Sequence, residues 1–104
     1  MTTTNCSYPD GARINIKKGT SPTFTVLVAD AGCVTNVTVE DAGTGSGISS
    51  FDNTSDATEP YEFVVNLNNA ANKNDKMRIR VFEGPTERDN YLVKIKTKSS
   101  ASCP

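Results

Sequence analysis

The chain has no histidine and no tryptophan, and only three of its 104 residues are cysteine. Without histidine, a Ser-His-Asp triad, a His-ligated zinc and an imidazole pH switch are all excluded. With four phenylalanines and three tyrosines as the only aromatics, the interior has to be built mainly from Val, Ile and Leu. Hydrophobic residues make up 36% of the chain, so that interior is thin. A domain of this size buries only about two-thirds of its unfolded surface, which leaves it sensitive to single changes. No apolar run approaches the roughly 20 residues of a membrane-spanning helix. No G-x-S-x-G elbow is present, and Gly43, Gly45 and Gly47 are not followed by a helical pattern that would cradle a phosphate.

What the sequence does contain is alternation with a period of two. Ile14 and Ile16 alternate with Asn15 and Lys17, and Phe24, Val26 and Val28 share one parity. Val37 and Val39 follow within 34–40, and a brief run covers Ile48–Phe51. The clearest series is Tyr61, Phe63, Val65 and Leu67; next come Met77, Ile79 and Val81, then Tyr91, Val93 and Ile95. The connections 41–47, 52–60 and 68–75 are read as mobile surface loops. Six or seven short, half-buried strands separated by turn signals predict an all-β fold, an antiparallel β-sandwich of immunoglobulin-like architecture. It occupies residues 1–98 as one domain, with 99–104 as a disordered tail.

The three cysteines, Cys6, Cys33 and Cys103, show no metal-ligand spacing. If 13–17 and 23–29 form a hairpin about 18–22, the register extended outward sets Cys6 opposite Cys33 or Val34. A Cys6–Cys33 disulfide is therefore expected, worth about 2–4 kcal/mol, with Cys103 left over. Such a bond implies an oxidising compartment, so the chain reads as secreted, periplasmic or cell-surface.

Charge is unevenly distributed although the net value is −1. Residues 1–18 carry +2, residues 19–72 carry −7 with no base at all, and residues 73–98 carry +4. Lys76, Arg78 and Arg80 alternate with core residues on one strand, and Lys94, Lys96 and Lys98 do so on the last. Pairing these strands about a long turn at 83–90 sets Arg80 opposite Lys94, Arg78 opposite Lys96 and Lys76 opposite Lys98. Glu62, from the 61–67 strand, falls beside Arg80. Six cations on one ribbon repel one another by about 0.2–1 kcal/mol per facing pair, so the ribbon is the candidate ligand-binding surface.

The ligand class that fits is a polyanion such as an acidic or sulfated glycan at a cell surface. Nucleic acid is not expected, because no aromatic is interleaved with the outward cations to stack on bases. Asp52, Asp56 and Glu59, with Asn53 and Asp41 nearby, are a weak oxygen-ligand set for calcium that lacks the D-x-[DN]-x-[DN]-G pattern. No other cofactor is implied. Tyr61 and Tyr91 lie on inward parity, leaving only Tyr8 for a sugar-stacking platform. The sequence thus predicts a non-catalytic recognition or adhesion module. The alternative is a structural spacer or subunit that self-associates through strand edges, or head-to-tail through opposite charges.

Overall fold

The computed structural model of the chain describes residues 2–3, 13–28 and 31–100. Nine strands occur among the described residues: β1 (Thr2–Thr3), β2 (Ile14–Lys17), β3 (Thr23–Val26), β4 (Asn36–Asp41), β5 (Ile48–Phe51), β6 (Ser55–Asp56), β7 (Tyr61–Leu67), β8 (Lys73–Glu83) and β9 (Thr86–Lys98). They form two sheets, ordered β1-β3-β7-β5 and β2-β9-β8-β4-β6. The fold is therefore all-β, and no described helix is long and apolar enough to cross a membrane.

The alternating residues close one apolar core between the sheets. Ile14, Ile16, Val37, Val39, Met77, Ile79, Val81, Val93 and Ile95 come from the second sheet. Phe24, Val26, Tyr61, Phe63, Val65 and Leu67 come from the first. Phe24 and Phe63 face each other across the β3–β7 register, the largest apolar pair in the interior.

The expected hairpin of 13–17 with 23–29 does not form. β2 runs parallel to β9, with Ile14 beside Ile95 and Lys17 beside Lys98, while β3 joins the other sheet. Residues 18–22 carry the chain across. Lys18 N–H donates to the Lys98 carbonyl and Gly19 N–H to that of Asn68, after which the carbonyls of Thr20 and Pro22 accept from Leu67 and Val65. Backbone groups passing between sheets are thereby paired in turn, which a local hairpin would not require.

With that register goes the Cys6–Cys33 disulfide. Cys33 is a free, exposed thiol in a single 3-10 turn, Ala31–Cys33. Cys6, Cys103, Tyr8 and the end of the predicted tail lie outside the described residues.

The long turn expected at 83–90 is also replaced. β8 and β9 meet at a two-residue turn, Gly84–Pro85, with Glu83 opposite Thr86. Gly84 has φ +58°, a conformation a Cβ disfavours. A register shift between Val81 and Phe82 sets Asp89 opposite Val81 and Glu87 opposite Phe82.

All three connections read as mobile are tied down, 52–60 by the pairing of β6 with β4. Asp75, 1% exposed, accepts the Gly47 N–H on Oδ2 at 3.1 Å, holding the 42–47 segment against the start of β8. A Cβ on Gly47 would stand 2.5 Å from that oxygen, so this close approach needs glycine. Buried Thr97 donates from Oγ1 to the Ala70 carbonyl at 2.8 Å and accepts the Lys73 N–H at 3.3 Å, fixing the 68–72 connection.

Candidate anion-binding face

Sorting of side chains on β8 and β9 follows the sequence expectation: Met77, Ile79, Val81, Val93 and Ile95 are buried while Lys76 and Lys94 are exposed on the outer face. The pairing of the cations differs. Because the turn is tight, the register shifts by four residues, and Lys76 faces Lys94, Arg78 faces Leu92, Arg80 faces Asn90 and Asn74 faces Lys96. Of the three predicted like-charge pairings, none survives as predicted, and one new one, Lys76–Lys94, arises.

The arginines leave the ribbon. Arg80 Nη2 lies 2.8 Å from Glu40 Oε1 on β4, and its Nη1 lies 3.6 Å from Glu87 on β9. Glu62 is not its neighbour, since β7 belongs to the other sheet. Arg78 donates to the Asn90 side chain. Arg88, the extra residue at the register shift, pairs with Glu83 at 3.4 Å.

The lysines behave differently. Ala42 N–H donates to the Lys76 carbonyl, so Lys76 turns its backbone groups toward β4 and meets Lys94 as a non-hydrogen-bonded pair, where facing side chains come closest. On the parallel side of β9, Asn15 stands beside Lys96 and Lys17 beside Lys98. Two like-charge pairs, Lys76–Lys94 and Lys17–Lys98, thus sit at direct partner positions, each unfavourable by about 0.2–1 kcal/mol.

Followed along the strands, the charges separate by end. Thirteen residues of β9 rise about 3.3 Å each, which accounts for the 40 Å longest dimension of a body 25 by 22 Å across. On the Lys73 side of the Met77–Arg78 boundary lie Arg13, Lys17, Lys18, Lys73, Lys76, Lys94, Lys96 and Lys98 against Asp41 and Asp75, eight bases and two acids. Toward the Gly84–Pro85 turn lie Arg78, Arg80 and Arg88 against Glu40, Asp52, Asp56, Glu59, Glu62, Glu83, Glu87 and Asp89, three bases and eight acids. A net charge near zero therefore conceals ends of about +6 and −5, with Asp10 and Asp30 outside the described residues.

The two ends are also unequally neutralised. None of the eight bases at the basic end forms an ion pair among the described residues. Several acids at the other end are engaged. Besides the three ion pairs, Asp52 Oδ1 accepts the Asn66 amide at 2.7 Å. Asp56 caps the following turn, with Oδ1 accepting Thr58 N–H and Oδ2 accepting Glu62 N–H, both at 3.0 Å. Asn53 donates to the Glu62 carbonyl at 2.9 Å, and at the basic end Asp41 accepts the Gly43 N–H at 3.1 Å. Asp52, Asp56 and Glu59 are not brought together: among the described residues no group of three or more Cys, Asp or Glu side chains converges to hold a metal ion.

Two features of this face escape the sequence pattern. Arg13, just ahead of β2, joins the lysines only because β2 docks on β9. It lines a cleft of about 170 Å³ with Asn74, Asp75, Lys76, Lys94 and Ile95. The second is a larger, open groove of about 660 Å³ between β4 and β5, whose lining includes Thr38, Glu40, Phe51, Ser55 and Arg80. Its Glu40 and Arg80 are paired to each other.

Comparison with known proteins finds no matching family model, no matching curated protein and no matching solved structure.

Proposed function

We propose that this chain is a non-catalytic recognition module that binds an anionic polymer such as an acidic glycan through the lysine end of its second sheet. One observation carries the reading: Lys76, Lys94, Lys96, Lys98 and Lys17 share an outer face with no acid among the described residues paired to them, while the described acids at the opposite end are largely engaged within the chain. Unrelieved like charge on adjacent strands is unfavourable for the free protein and becomes favourable when an anionic chain lies across it. A non-catalytic role is supported by the larger groove, where Glu40 and Arg80 neutralise each other and Asp41 is engaged by the Gly43 N–H. The strand orders support an immunoglobulin-like arrangement. β3-β7-β5 and β9-β8-β4 match the neighbour relations B-E-D and G-F-C.

The test is heparin chromatography at low salt. Lys94→Ser, Lys96→Ser and Lys98→Ser combined should abolish retention, while Arg78→Ser with Arg80→Ser should leave most of it. Equal retention of the lysine variant and the native chain contradicts the proposal. The same charge separation favours a second reading, head-to-tail assembly of identical copies. Multimers at low salt that dissolve at high salt, with no heparin retention, would select it.

A further inference from the structure

The basic end contains one cleft lined by three cations: Arg13 just ahead of β2, Lys94 on β9 and Lys76 on β8. Arg13 precedes Ile14, which lies beside Ile95, so Arg13 borders Lys94; Lys94 in turn faces Lys76. Strands about 4.8 Å apart make this row about 10 Å across. The row borders the cleft of about 170 Å³, whose lining also includes Asn74, Ile95 and one acid, the buried Asp75. A guanidinium, two ammoniums and a carboxamide offer donors from several directions around one small volume.

We infer that this cleft is the anchoring subsite of the polymer-binding face, and that it takes a tetrahedral oxyanion ester, a sulfate or phosphate group, in preference to a carboxylate. The inference rests on the polyanion reading above. A carboxylate presents two oxygens in one plane, which the fork of Arg13 alone satisfies, leaving the Lys76–Lys94 repulsion unrelieved. A sulfate or phosphate ester presents three terminal oxygens in three directions, one toward each cation. Lys96 and Lys98, further along β9, then meet neighbouring anions of the same polymer with less demand on their shape.

Three dextrans of equal length and charge density, bearing sulfate, phosphate or carboxymethyl groups, separate the possibilities by titration calorimetry at pH 7. The sulfate and phosphate forms should bind about 10-fold or more tightly than the carboxymethyl form, a difference of about 1.4 kcal/mol. Whichever of the two binds better identifies the source of the group. Arg13→Gln with Lys76→Gln, both exposed positions, should reduce the preference to about 2-fold, because the sulfate and phosphate forms lose more affinity than the carboxymethyl form. Equal affinity for all three dextrans overturns this inference and leaves the polyanion reading standing. A preference that persists in the double variant also overturns it. Binding to none overturns the polyanion reading itself.

Discussion

At pH 7 the Asp75→Asn variant is expected to melt higher than the native chain, and the gain should vanish as the pH falls toward 3. Asp75 is buried under the 42–47 segment; its Oδ2 accepts the Gly47 N–H, but Oδ1 has no hydrogen-bond partner among the described residues. Burial raises its carboxyl above the ordinary 3.8, opposed by hydrogen bonds from the Gly47 and Ile48 backbone and reinforced by the negative charge of Asp41. The sign follows from linkage. Above 3.8 the unfolded chain loses this proton while the folded chain still holds it, so its stabilising contribution is complete at low pH and is lost as pH rises through the folded value. Near neutrality the native chain carries an ionised acid that asparagine replaces without charge, keeping an oxygen for Gly47. The gain comes from removing the charge from a buried site, and each kcal/mol moves Tm by about 4–8 °C in a domain of this length. Thermal melts of both proteins from pH 3 to 8 measure the difference directly. A variant less stable than the native chain at pH 7 would show that the Asp75 charge is used, and that the Asp41 repulsion is outweighed.

Phe63→Ala should have the largest effect on folding. Phe63 is 2% exposed and stands opposite Phe24 at the centre of the first sheet. Truncating a buried phenylalanine removes about 3–5 kcal/mol, against a total of about 5–15 for a domain of this kind. No tryptophan is present to fill the space from a neighbour, and the core comprises a single cluster. A urea midpoint lowered to half or less is the expected result. A change below about 1 kcal/mol would mean that the two sheets do not close over this pair.

Strands were legible wherever one face is buried. Residues 61–67 and the Met77–Val81 series stand where alternation places them, because period-two burial is a local property of the chain, and the brief run at 48–51 also forms a strand, without alternating. The segment Thr86–Asn90 looks like loop because its residues are exposed on both faces; its strand character comes only from pairing with β8. Hence the turn was misplaced by several residues, and with it every facing cation. The parallel docking of β2 on β9 is set by distant residues, so neither the fate of the hairpin nor the arrival of Arg13 could be read locally. Asp75 reads as one more loop acid. The one hint of its burial is the nearby glycine triplet, since Gly47 allows the approach that covers it. Of the candidate site, the lysines of β9 and Lys76 were legible, whereas the removal of Arg78 and Arg80 by Asn90, Glu40 and Glu87 depends on register and sheet order.

The separation of charge into a free basic end and an engaged acidic end is most directly tested by mapping amide chemical shifts during titration with a dextran sulfate oligomer. Perturbations should gather at residues 13–18, 72–76 and 94–98 and fade as salt is raised. Perturbations centred on 36–40 and 80–90, or none at saturating oligomer, would contradict the account.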